Sequence, residues 1–240
     1  MLGYPDQASG HAQEALSLAE EVSHPFTLAY VEALAAMHYI ESRSNQIALH
    51  TTEAFLGLAQ EQGFALYLVW AGLFQGACWA KLGRTEEGIT SLRKGLADYD
   101  KTGCTSLRPA FWSWLAEGHL IAGQADEGLK VLDEAFAHVN GTGERYWEAE
   151  LYRIKGELLL LQGGSEGEAE ESFKQALEVA KGQSAKSLEL RAAMSMARLW
   201  REQSKSAEAL ELLSGIYGWF TEGFDTPDLV DAKAMLGELA

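Results

Sequence analysis

Apolar and polar residues alternate along this chain with a helical period. In the stretch from Glu168 to Ala180 the apolar or small positions are 169, 173, 176, 177 and 180. That spacing lays one stripe along a helix and predicts an amphipathic helix there. Ser165 followed by Glu168 is a capping-box pattern at its start. The same stripe recurs. After Gly83 come Gly88, Leu92 and Gly95; after Gly123 come Gly128, Leu132 and Ala135. Related sets are Gly3, Ala8, Ala12, Ala15; Ser42, Ile47, Thr51, Ala54; Gly164, Ala169, Phe173, Ala176; and Ser204, Ala209, Leu213, Ile216. The last members stand at 15, 54, 95, 135, 176 and 216, a period of about 40 residues.

A period near 40 fits a four-stranded propeller blade or a helical hairpin. Blades need several short runs of β-branched alternation per unit. Each turn here is instead preceded by a second, more apolar helical segment, at 26–41, 64–82, 109–122, 147–162 and 188–203. The pattern therefore predicts helix–turn–helix units that bury their apolar faces only by stacking on neighbours. Glycines such as Gly83 and Gly123 stop helices, while Gly76, Gly88 and Gly128 let two helices approach closely. The expected organisation is one repeat domain over 1–240. It has a half unit at 1–23, units at about 24–62, 63–104, 105–142, 143–183 and 184–223, and a capping helix at 226–240. Thr226-Pro227 opens that cap with proline at the first helical position, and Leu229, Met235, Leu236 and Leu239 form its apolar stripe. The missing first helix of the half unit predicts a sticky N-terminal face and a chain cut from a longer protein.

Small–apolar–small spacing after a turn is the tetratricopeptide repeat signature, stretched beyond its usual 34 residues. Three segments sharpen the likeness: Gly143-Glu144-Arg145-Tyr146-Trp147-Glu148-Ala149-Glu150-Leu151-Tyr152-Arg153, Ala185-Lys186-Ser187-Leu188-Glu189-Leu190-Arg191, and Tyr217-Gly218-Trp219-Phe220-Thr221-Glu222-Gly223-Phe224-Asp225-Thr226. In that order the chain resembles the C-terminal tetratricopeptide region of bacterial proteins that join a class III adenylate/guanylate cyclase or another output domain to a STAND/AAA-type ATPase. The resemblance implies an all-α, TPR-like α-solenoid: a right-handed superhelix of antiparallel hairpins. It also implies a sensing or scaffold arm in bacterial signal transduction. Such an arm binds a protein or peptide, including the ATPase or cyclase domains of the same polypeptide.

In this repeat type the first helices line a concave groove. By that register Glu32, Tyr39, Trp70, Ser113, Glu117, Glu150, Arg153, Glu157, Arg191, Arg198 and Arg201 face it. Arg191, Arg198 and Arg201 share one face at i, i+7 and i+10, with Glu150 and Glu157 on the preceding unit. Two accounts compete: ion pairs between neighbouring first helices, favoured because acidic residues stand next door, and an Arg fork that clamps a carboxylate.

Composition narrows the partner. With 19 Lys+Arg against 35 Asp+Glu the net charge is −16, which disfavours nucleic acid, whose binding is driven by phosphate neutralisation. Hydrophobic residues make up 47% and charged residues 22%, a globular balance. Two cysteines cannot form a disulfide framework, so a reducing, cytoplasmic setting is expected. No run is apolar enough to span a membrane, so no membrane partner is expected.

Candidate chemistry is sparse. None of the six histidines pairs at zinc-ligand spacing. His38 and His119 occupy the register held elsewhere by Trp79 and Trp200, which reads as packing between helices. There is no phosphate-cradling loop and no strained Ser turn, and adjacent carboxylates such as Glu86 and Glu87 diverge around a helix. The expectation is a protein without enzymatic activity, cofactor or metal. A different class of reading is a small-molecule sensor that binds an inducer in the aromatic-lined groove. A third is a homodimer formed through the unpaired helix at 5–22.

Overall fold

The computed structural model describes all 240 residues, and twelve α-helices account for its regular structure. They are α1 (Pro5–Val22), α2 (Pro25–Glu41), α3 (Asn45–Gln62), α4 (Ala65–Lys81), α5 (Thr85–Lys101) and α6 (Arg108–Ile121). Then follow α7 (Ala125–Thr142), α8 (Glu148–Leu161), α9 (Glu166–Gly182), α10 (Lys186–Glu202), α11 (Ser206–Tyr217) and α12 (Pro227–Leu239). The chain divides into two compact units, one of residues 6–122 and one of residues 1–5 with 123–240.

A left-handed residue follows nearly every helix, and these residues recur at twice the frequency of the sequence repeat. Positive φ angles occur at positions 3, 23, 43, 63, 83, 103, 123, 143, 163, 184, 204 and 223, and at Leu107 just before α6. Eight of them are glycine, the residue that adopts this conformation without steric cost, and Ser23, Arg43, Leu107, Ser184 and Ser204 take it as L-residues. The half-period near 20 is invisible to the hydrophobic pattern, which sees only the 40-residue hairpin. In two copies the left-handed residue is offset by one from the turn residue of the repeat: Arg43 follows Ser42, and Gly163 precedes Gly164.

Within residues 6–122, α4 is the most enclosed helix, burying Tyr67, Trp70, Ala71, Leu73, Phe74, Ala77, Cys78 and Ala80. It packs on α3 and α5 as sequence neighbours and on α2 and α6 as the equivalent helices of adjacent hairpins. A helix packed on so many sides has to be apolar almost all round. Its partner α5 is amphipathic and buries Gly88, Ile89, Leu92, Gly95 and Tyr99. A Cβ on Gly88 would fall 2.5 Å from the Ala80 nitrogen and 2.6 Å from the Gly76 carbonyl oxygen. The two glycines therefore let α4 and α5 cross backbone to backbone. Aromatic rings fill the layer: Phe55 lies edge-on to Phe74, and Phe74 to Trp114, with ring centres 5.7 and 5.4 Å apart.

Within residues 123–240, α8 packs on α7, α9 and α10, and α10 on α9, α11 and α12. The last helix, α12, starts with Thr226 before Pro227. Leu229, Met235 and Leu239 join Leu190, Met194, Leu213 and Phe220 in one core, with Leu236 packed against it. Helix α9 begins just after Ser165, but the Ser165 side chain makes no capping hydrogen bond. The predicted capping box gives the boundary and not the bond. His119 is buried, 3.2 Å from an Arg93 guanidinium nitrogen, and His38 lies 3.3 Å from the Ser9 hydroxyl. Both sit among helices, as their register suggests.

Candidate functional site

The predicted groove residues separate by environment. In residues 6–122, Trp70 is buried, with its ring centre 5.6 Å from Tyr67 and 6.2 Å from Phe74. Ser113 is buried and donates to the Ala110 carbonyl at 2.7 Å. Both are enclosed by the packing around α4 and α6. Glu117, half-buried, pairs with Lys81 at 2.8 Å. Tyr39 is half-buried, its ring 5.5 Å from that of His38. Glu32 is half-buried and its Oε2 meets no hydrogen-bond donor. Burial, and then the nearby Glu20 charge, raise its pKa.

In residues 123–240 the predicted charges assemble into a row. Arg153 forks onto the buried Glu150 at 3.0 and 2.6 Å and reaches Glu157 at 3.8 Å. Glu157 Oε1 accepts from Arg198 at 2.7 Å and from the Ser195 hydroxyl at 2.6 Å. Burial alone would raise the Glu157 pKa, but the Arg198 charge, the Ser195 hydroxyl and Arg153 hold it below the ordinary carboxylate value. Arg191 and Arg201 turn the other way, onto the cap: Arg191 donates to Asp228 at 2.7 Å, and Arg201 pairs with Glu238. Each of the three arginines of the α10 face thus lies against a carboxylate of α8 or α12. These are ion pairs between neighbouring helices.

Ser195, Asp228 and Glu238 completed this row unseen by the sequence reading, because their partners lie 37–38 residues away along the chain. A second missed feature was open to inspection. Phe26, Tyr30 and Leu34 lie at i, i+4 and i+8 on α2 and are exposed by 51%, 45% and 42%. Leu18 and Val22, one turn apart on α1, are exposed as well. The Phe26 ring meets Phe64 and Tyr67 edge-on at 5.6 and 5.5 Å, which anchors the stripe on the body of its unit.

No group of three or more His, Cys, Asp or Glu side chains is placed to hold a metal ion. No helix is long and apolar enough to cross a membrane.

Among known proteins, no family model matches the chain. An uncharacterized protein, R02095, of Rhizobium meliloti is 30% identical over 129 residues, 53% of this chain. The chain spans only 12% of that relative's length. Among solved structures, apo RapI superposes with a TM-score of 0.67 at 14% identity, covering 98% of this chain and 78% of RapI. The nearly identical TPR-like repeats of a candidate kinesin light chain from Podosopora anserina superpose with a TM-score of 0.54 at 18% identity, covering 82% and 96%. With helices only and these neighbours, the fold is an all-α, TPR-like solenoid.

Proposed function

We propose that the chain is a non-catalytic protein-binding repeat module that serves as one arm of a larger signalling polypeptide. The observation that carries the binding function is the apolar stripe of Phe26, Tyr30 and Leu34, with Leu18 and Val22. Contiguous apolar surface on a soluble protein marks an interaction site, and an i, i+4, i+8 row of large side chains is the face that a helix presents to a partner protein. The partner is another domain of the same polypeptide, such as its ATPase or cyclase, or a second copy of the chain. The arm reading is supported by the three segments at 143–153, 185–191 and 217–226 and by the much greater length of the Rhizobium relative. In the same reading the hairpins act as one repeat domain in the cytoplasm, and Glu32, Tyr39 and Glu117 belong to its polar binding surface.

A photo-crosslinking amino acid at position 30, expressed in the full-length protein in its own cells, tests this directly. The expected result is a discrete crosslink to one polypeptide chain that Phe26→Ser with Leu34→Ser removes. Crosslinking at position 30 no stronger than at the exposed, charged position 202 would sink the proposal.

A further inference from the structure

Residues 1–5 do not trail into solvent. They lie along the start of α10 and the segment between α11 and α12, all within the same compact unit. The Met1 carbonyl accepts from the Ser187 amide at 3.0 Å. Ser187 is the second residue of α10, so its amide has no acceptor within the helix, and the segment's backbone satisfies it. Gly3 adopts φ +98°, and a Cβ there would fall 2.5 Å from the Trp219 ring and 2.7 Å from Lys186 Cβ. The Tyr4 ring meets Trp219 at 5.4 Å and 62°. Pro5 rests in the space left by Gly223: a Cβ on Gly223 would come within 1.9 Å of Pro5 Cγ. Leu2 points outward, 62% exposed.

The receiving side is fixed. Trp219 is held between the Lys186 ammonium, 5.6 Å from its ring, and Phe220, whose ring is edge-on at 5.3 Å and buried in the α10–α12 core. The fit discriminates at three successive positions. Only glycine passes Trp219, an aromatic ring follows against the indole edge, and proline fills the gap over Gly223. Backbone hydrogen bonding two residues upstream sets the register. One main-chain hydrogen bond attaches the turned segment, and side-chain gaps give it specificity.

We propose that Lys186, Ser187, Trp219 and Gly223 form a recognition site for a Gly-aromatic-Pro segment that turns at its glycine. Residues 1–5 fill it here in cis, and the same residues of a second copy of the chain fill it by exchange. Exchange of an identical element between protomers needs no new complementary surface. The site stands on different elements from the α2 stripe, so the two readings fail independently.

The test uses a fluorescein-labelled, N-acetylated peptide of residues 1–7 and the full chain. Tethering supplies the cis segment at a millimolar effective concentration, so the wild-type chain should bind the peptide weakly. Gly3→Val ejects the tethered segment and leaves the seat intact. It should bind the peptide on the order of tenfold tighter, and Trp219→Ala added to it should abolish binding. A peptide carrying Val at its third position should not bind. Tyr4→Ala removes only the half-exposed ring and places no new atom in the seat, so it should tighten binding in the same direction even if Gly3→Val misfolds. Absence of a gain in Tyr4→Ala, or equal binding of the Val-substituted peptide, overturns the proposal.

Discussion

Single residues in this protein carry opposite consequences according to what surrounds them, and the two cysteines show it most simply. Cys78 is fully buried in α4, and burial pushes its thiol up to about 12. Cys104 lies beyond α5 with the Ser106 and Tyr99 hydroxyls at 3.4 and 2.9 Å, and these hydrogen bonds, with the Arg108 charge, lower its pKa. The thiolate is the reactive form, so iodoacetamide at pH 7.5 should alkylate Cys104 and spare Cys78. Peptide mapping after partial reaction reads this out, and equal labelling of the native protein would contradict it. The left-handed positions make a similar pair. Ser204 is exposed at φ +63°, and glycine relieves that strain, so Ser204→Gly should raise stability by about 1 kcal/mol. Gly88→Ala drives a Cβ into α4 backbone and should lower it by about 1–3 kcal/mol. Gly57→Ala, inside α3 with nothing within 4 Å, should raise it by about 0.5–1 kcal/mol. Urea titrations of the three variants check the signs together. The close-contact role of Gly76 and Gly88 was readable in the sequence because both interrupt apolar helix faces. The five left-handed L-residues were not, because no side chain there announces the turn.

At the scale of elements, the more apolar helix of each hairpin falls within two residues of its predicted span. The expected 64–82 is Ala65–Lys81 and the expected 188–203 is Lys186–Glu202. Glycine stops and a 3.6-residue stripe are local signals, so this level of structure was legible. Pairing between elements was not, because it depends on stacking geometry. Register put Arg198 near Glu157, but nothing local links Ser195 to Glu157, or Arg191 and Arg201 to the cap. The stripe Phe26, Tyr30, Leu34 was legible by spacing, yet it reads equally as core until exposure is known. The Glu157 cluster makes the element-scale prediction. Its carboxyl has a depressed folded pKa. Its contribution is therefore complete above the unfolded value of about 4.3 and is lost as pH falls through that value toward the folded pKa. Glu157→Gln removes the negative charge that faces Arg198 and Arg153 and should cost about 1–3 kcal/mol at pH 7. It should also flatten the loss of melting temperature between pH 5 and pH 3. A variant with wild-type acid sensitivity would show that the α8–α10 row does not rest on this carboxylate.

For the molecule as a whole, the charge of −16 gains meaning from where the cations are. Lys81, Arg84, Lys101, Arg108, Lys130, Arg145, Arg153, Lys174, Lys186, Arg191, Arg198 and Arg201 all stand in ion pairs. A polyanion approaching the surface finds the positive groups already neutralised by near neighbours and an excess of carboxylates around them. Counterion release, which drives protein–nucleic acid association, requires several cations free to displace salt from phosphates. At 0.1 M salt, where the Debye length is about 10 Å, the chain should give no mobility shift with duplex DNA or single-stranded RNA up to about 100 μM, the weak end of ordinary non-specific binding. Contact through the Phe26–Tyr30–Leu34 stripe has the opposite signature. Apolar burial is not screened by salt, so the crosslink from position 30 should persist, within about a factor of two, when lysis salt is raised from 0.1 to 0.5 M. Loss of that crosslink with rising salt would shift the partner contact from the apolar stripe to charged groups, and the ion-pair row on α8 and α10 would become the surface to mutate.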